Sequence, residues 1–153
     1  MDSAGKHGLY LTIGVTGHRD LVASELPAIE DRLVAFFESL ARDYPELPLQ
    51  LITPLAEGGD QVAAEVALSL GVSVVAVLPM AQSEYERDFS GPETLGRFHD
   101  LLERSDEVIV LPNNKNIIPV AEQVDALTAK TVSVVPTRTM PEALAALVVY
   151  DPE

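Results

Sequence analysis

The chain has 153 residues, 47% of them hydrophobic and 22% charged, with a formal net charge of −14. That length suits one domain with a substantial core, and the composition excludes a disordered chain. The absence of cysteine excludes disulfides, a thiol nucleophile and a thiolate metal site.

Only 5% of the chain is aromatic, so the core is expected to be aliphatic. No long apolar run suits a membrane span, and Met1 to Gly8 lacks a signal-peptide core, so a cytoplasmic protein without a membrane partner is expected. With 24 acidic residues against 10 basic ones, the chain repels a phosphate backbone and no nucleic-acid partner is expected. A free nucleotide stays compatible, because a helix N-terminus and one arginine can hold phosphate inside an acidic protein. Nothing in the sequence sets the oligomeric state.

Tyr10 to Val15 reads as a first strand, short and apolar enough for burial on both faces. A loop, Thr16-Gly17-His18-Arg19-Asp20, follows it. Ser24 then suits a helix N-cap and Pro27 a first helical turn, with Leu26, Ile29, Leu33, Phe36 or Phe37, and Leu40 at helical spacing. Pro45 and Pro48 end that helix, and Leu49 to Thr53 forms a second strand. Leu55-Ala56-Glu57-Gly58-Gly59-Asp60-Gln61 makes a second strand-to-helix turn. The next helix presents Val62, Val66 and Leu70 with Ala63 and Ala67, and Gly71 stops it. Ser73 to Leu78 is a third strand, β-branched and apolar, closed by Pro79.

Ser83-Glu84-Tyr85-Glu86 fits a capping box that opens a short polar helix carrying Arg87 and Asp88. Its alternating carboxylates do not share a helix face, so a solvated surface is expected and no metal site. Gly91-Pro92 breaks this helix. Thr94 to Arg104 forms another, with Leu95, Phe98, Leu101 and Leu102 inward. Glu107 to Leu111 is a fourth strand, Pro112 to Asn116 a polar loop, and Val120, Val124 and Leu127 mark a further helix. Thr131 to Val135 is a fifth strand, and Thr139-Met140-Pro141-Glu142 fits a capping box for a last helix over Leu144 and Leu147. This alternation predicts an α/β fold: a three-layer, Rossmann-like domain spanning 1–153, with a five-stranded parallel sheet covered on both faces.

The chemistry concentrates in two glycine turns. Gly14, inside a strand, weakens it unless something must come close. Thr16, Gly17, His18, Arg19 and Asp20 offer donors and charge suited to a phosphate or a ribose. The alternative is structural: a positive-φ turn at Gly17, and Asp20 capping the next helix. Glu57, Gly58, Gly59 and Asp60 stand at a helix N-terminus, where amides and the helix dipole favour an anion. The two carboxylates there suit ribose hydroxyls or a base edge better than phosphate; the alternative is a capping turn. Neither turn is a GxGxxG or Walker loop, no triad is evident, no catalytic residue is assigned and no cofactor is implied. Asn113 and Asn114, beyond the fourth strand, are further ligand candidates or simple turn formers.

Gly14-Val15-Thr16-Gly17-His18-Arg19-Asp20, Glu57-Gly58-Gly59-Asp60-Gln61 before an alanine-rich helix, and Val77-Leu78-Pro79 together resemble the SLOG superfamily over about residues 9–110. That group contains lonely-guy phosphoribohydrolases, the DNA-processing DprA family and nucleotide-sensing domains. The resemblance implies strand order 3-2-1-4-5, with a nucleotide crevice between strands one and four at the topological switch point. It also implies ligand roles for Thr16, Gly17, His18, Arg19, Glu57, Gly58, Gly59 and Asp60. The Pro-Gly-Gly-x-Gly-Thr turn of the phosphoribohydrolases is replaced here by Pro112-Asn113-Asn114-Lys115-Asn116, so the catalytic half of that site is missing.

Val110 to Ile118, Ala121-Glu122-Gln123, Val135-Pro136-Thr137-Arg138 and Ala143 to Asp151 resemble instead the C-terminal end of the ATP-binding component of bacterial fatty acid kinase, which belongs with the dihydroxyacetone-kinase-like proteins. That match covers about 108–153. It excludes the family's kinase domain and implies no kinase activity. The charge balance shifts from −12 over 1–108 to −2 over 109–153. Together these observations suggest a recombined or designed chimera joined at about 106–112. The expectation is a domain that binds nucleotides or their derivatives weakly and turns nothing over. The alternatives are a phosphoribohydrolase-type enzyme, with Glu57 or Asp60 as general acid or base, and a natural nucleotide sensor.

Overall fold

A computed structural model of the chain describes residues 9–112, 132–139, 141–142 and 145–146. In order these form β1 (Leu11–Gly14), α1 (Leu26–Asp43), β2 (Leu49–Thr53), α2 (Gly59–Ser69), β3 (Ser73–Leu78), α3 (Gln82–Tyr85), α4 (Pro92–Arg104), β4 (Glu107–Val110) and β5 (Val132–Val134), with 3-10 turns at Ala23–Glu25 and Glu86–Asp88. The fold is Rossmann-like α/β with five strands, all parallel, as the alternation predicts. The helix expected through Val120, Val124 and Leu127 lies outside the described residues. So do Asn113 and Asn114.

The strand order corrects the expected 3-2-1-4-5. Neighbours run β1-β2-β3-β4-β5, so β1 is an edge strand and β3 is central. The side chains explain this arrangement. Val74 to Leu78 are all buried, which suits a strand packed on both faces. In β1, Ile13 packs partly against the core while Thr12 and Gly14 are exposed, a pattern that satisfies only one face. The expectation that β1 is buried on both faces is therefore also corrected. Because each crossover advances one strand in the same direction, the sheet has no switch point between β1 and β4.

The main core joins the helices to one face of the sheet. Phe37 of α1, Ala63, Ala64, Val66 and Ala67 of α2, and Phe98 and Leu101 of α4 cluster with Leu51, Val74, Ala76, Leu78, Val108 and Val110. Successive crossovers of one hand in one direction place all their helices on that side. On the opposite face Val75, Val77, Ile109 and Leu111 cluster with Ile52 and Val135. Among the described residues that second cluster contains no helical side chain.

Local signals succeed where backbone geometry alone decides them. Gly71 has φ +72 and closes α2 with both bonds of a Schellman turn, Gly71 N to Leu68 O at 3.1 Å and Val72 N to Ala67 O at 2.9 Å. Expected caps fare less well. The turn at Ala23–Glu25 runs directly into α1, so Ser24 is not its N-cap, and α3 begins at Gln82 after Ala81 rather than at Ser83. At the C-terminal box the Thr139 hydroxyl does accept the Glu142 amide, at 3.4 Å. Of the two phenylalanines proposed for α1, Phe37 is buried and Phe36 exposed; Leu70, expected on the apolar face of α2, is also exposed.

Candidate functional site

The two glycine turns meet at the carboxyl ends of β1 and β2. Their contact is made by backbone. Gly58 has φ +91, and a β-carbon there would overlap the carbonyl oxygens of His18 and Arg19. The Gly59 amide, at the start of α2, donates to the His18 carbonyl at 2.9 Å. Gly17 lies flat against Gly59: a β-carbon on Gly17 would sit 2.9 Å from the Gly59 Cα. Gly17 is not among the positive-φ glycines, so its size, not its conformational freedom, is what the loop needs. Gly14 has open space around it, and among the described residues none makes the close approach expected there.

Asp60 is 5% exposed, and the amides of Gly17 and Ala56 lie close enough to its carboxylate to favour the charged form, so it stands between the first loop and the second. Burial raises its pKa despite those two amides. The expected cap of the first helical amides is thus replaced by a place between the loops. Leu55, fully buried, takes φ +56, a conformation costly for a branched side chain, and its amide donates to the Thr53 hydroxyl at 3.1 Å.

Glu57 turns to the segment between α3 and α4. Its carboxylate accepts the Ser90 amide at 3.2 Å and the Ser90 hydroxyl. The Ser90 hydroxyl bond is the main reason its pKa is lowered, with the Ser90 amide, Thr94 and the Arg19 charge adding to it and burial opposing. Arg19 donates to the Asp88 carbonyl at 3.1 Å. Thr16, His18, Arg19 and Asp20 are exposed, so this loop presents its polar groups to solvent above a packed base.

The α3–α4 segment, read from sequence as a polar surface, packs against this pair of turns through Asp88, Ser90 and Thr94. Tyr85 is 4% exposed and forms an aromatic trio with Phe89 and Phe98, ring centroids 4.8–5.6 Å apart. Burial, with the nearby Asp60 charge, pushes its phenol up to about 12. Gln61, buried in α2, donates to the Thr94 carbonyl at 3.1 Å and the Leu55 carbonyl at 3.4 Å. Glu86 does not simply face solvent. It accepts Gln82 Nε2 at 2.9 Å and meets His99 Nε2 at 2.8 Å. A sequence signal for this packing exists: a glutamine between buried apolar positions, and aromatics at Tyr85, Phe89 and Phe98. The surrounding charges obscure it.

The structure therefore brings Gly17, His18 and Arg19 together with Glu57, Gly58, Gly59 and Asp60. It does not bring them to Pro112, because β2 and β3 separate β1 from β4. The crevice expected between Thr16–Asp20 and the loop after β4 is corrected accordingly. No group of three or more His, Asp or Glu residues among those described is placed to hold a metal ion, and no described helix is long and apolar enough to cross a membrane.

The chain matches the FakA-like C-terminal family, named for the C-terminal part of a fatty acid kinase component, over residues 52–153. It is 39% identical over 49 residues to Protein YloV of Bacillus subtilis (strain 168), a match covering 32% of this chain and 9% of that protein. Among solved structures it is similar to DNA processing protein A (DprA) from Streptococcus pneumoniae, with 12% identity and a TM-score of 0.36, covering 95% of this chain and 63% of the other. The match through β2, the second glycine turn and everything after it places the chain in the FakA-like C-terminal family.

Proposed function

We propose that this chain is a non-catalytic recognition domain of the FakA-like family, with Thr16, His18, Arg19 and Asp20 as a solvent-facing loop for a small anionic ligand of the nucleotide class. The observation that carries this reading is the engagement of both candidate catalytic carboxylates within the fold. Glu57 is held by the Ser90 amide and hydroxyl, and Asp60 is buried beside two backbone amides. A general acid or base must reach the proton it moves; Asp60 is buried, and Glu57, though partly exposed, has its carboxylate engaged by Ser90. Gly58 and Gly59 then serve the fold, leaving binding to the exposed loop, and affinity is weak because the loop has no opposing wall from β4.

Incubation with adenosine monophosphate tests this, with free adenine as the readout. No adenine above the uncatalysed background is expected, together with millimolar-range binding that Arg19→Ala weakens. Turnover abolished by Glu57→Gln would overturn the proposal in favour of a phosphoribohydrolase.

We read 1–153 as one domain. The family match runs through 106–112, and β4, which contains that segment's strand residues, pairs in regular parallel register with both β3 and β5. A recombined chain joined there is the second reading, favoured by the charge shift between the two parts. Separate similarity searches with 1–105 and 112–153 distinguish the two, because a join requires different families to be returned.

A further inference from the structure

The open edge of the sheet carries a second kind of surface. In the β1–β2 ladder Leu11 N donates to Pro48 O at 2.9 Å, and Leu11 and Ile13 align with Leu49 and Leu51. Because residues alternate in the direction of their backbone groups, the N–H and C=O of Thr12 and Gly14 point away from β2, along the free edge. Both residues are exposed, and no other described strand pairs there.

Edge strands are normally blunted by charge, proline or a bulge. Leu9 to Gly17 contains no charged residue and no proline. Five of the six exposed large apolar side chains among the described residues belong to β1, α1 and their flanks: Leu9 (83%), Tyr10, Val22, Phe36 and Tyr44. Ile13 and Val15 are only partly covered by the core beneath them. A strand laid along β1 with apolar side chains on the helix side and small or polar ones on the other would complete that burial.

Charge decides what kind of strand this is. From Val22 to Pro48, the helix beside this edge and its flanks carry six acidic residues, Glu25, Glu30, Asp31, Glu38, Asp43 and Glu46, against Arg32 and Arg42. All eight are exposed. A second copy of a chain carrying −14 would bring like charge to this rim, whereas lysines and arginines flanking an added strand would be attracted to it.

We propose that β1 is a docking edge for an extended segment of a partner protein, alternately apolar and polar, and flanked by basic residues. The partner adds as a sixth strand, with main-chain hydrogen bonds to Thr12 and Gly14.

Amide hydrogen exchange on the whole chain tests this with a synthetic peptide, Lys-Lys-Val-Thr-Val-Thr-Val-Lys-Lys, and its glutamate-flanked counterpart. The basic peptide should slow exchange at Thr12 and Gly14 at least tenfold, and the acidic one should bind at least tenfold more weakly. Thr12→Pro, which removes only an outward N–H, should abolish peptide binding while leaving exchange in β3 and β4 unchanged. If that variant loses protection in β3, Thr12→Lys replaces it. No slowing at Thr12 and Gly14 with the basic peptide, or equal binding of the two peptides, would overturn the proposal. Slowing at these amides in the chain alone, rising with its own concentration, would overturn it in favour of a second copy.

Discussion

Gly17 and Gly59 touch through their backbones, 42 positions apart in the chain, so closely that a β-carbon on either would lie within about 3.0 Å of the other's Cα. This contact seats the loop after β1 on the first turn of α2. The two turns, which in sequence look like a ligand cradle, are a packed backbone joint.

Mutation separates the joint's Gly58 from glycines elsewhere in the fold. At Gly58, alanine meets both a positive φ and the His18 and Arg19 carbonyls, and a loss of about 3 kcal/mol is expected. At Gly71, where φ is +72 but the surroundings are open, alanine should cost about 1 kcal/mol. Gly14→Ala should be neutral or slightly stabilising, by up to about 0.5 kcal/mol. Urea unfolding of the three variants checks the ranking; a Gly58→Ala chain as stable as Gly71→Ala would contradict the joint.

Glu57 makes stability depend on pH in a defined direction. Its carboxyl is lowered below the ordinary 4.5, chiefly by the Ser90 hydroxyl. Its contribution is therefore present above pH 4.5 and lost as pH falls through the lowered folded value. Glu57→Gln should cost about 1 kcal/mol at pH 7, discounted for partial exposure, and the gap should close as pH falls through the lowered folded value. Asp60 runs the other way. Burial raises it above 3.8, so its ionised form opposes folding at neutral pH and that penalty is relieved as pH falls through the raised value. Thermal melting of the wild type and both amide variants between about pH 3 and pH 7 separates the two trends.

Gln61 joins α2 to the start of α4 through the Thr94 and Leu55 carbonyls. Gln61→Ala leaves buried acceptors unpaired as well as a small void, and a loss of about 2 kcal/mol is expected. Proteolysis should then cut first between α3 and α4, since that bond is one of the ties holding the segment over the sheet. Unchanged protease resistance would argue against this role.

Arg104 bridges Glu65 at 3.0 Å and Asp100 at 2.8 Å, and both carboxylates raise its pKa. These pairs are half exposed, so Arg104→Ala should cost no more than about 0.5 kcal/mol and the difference should vanish in about 1 M salt. The measurement is a melting curve at two ionic strengths.

The described elements and the fold class are legible in the sequence. β-branched runs, helical spacing in α1, α2 and α4, and Gly71 as a stop are local properties, and each leaves a local mark. The sequence also pointed to both glycine turns. The order of the strands was decided only by tertiary structure, because pairing depends on which face of each strand can be buried. Thr12 and Gly14 place β1 at the edge, and the unbroken apolar run of β3 places it in the centre. The meaning of the site was likewise non-local. Nothing near Glu57 in the chain announces Ser90, nor does anything near Asp60 announce Gly17, yet these neighbours tie together segments far apart in sequence. A carboxylate's chemistry depends on the donors the fold supplies, and here most of those donors come from elements distant in sequence.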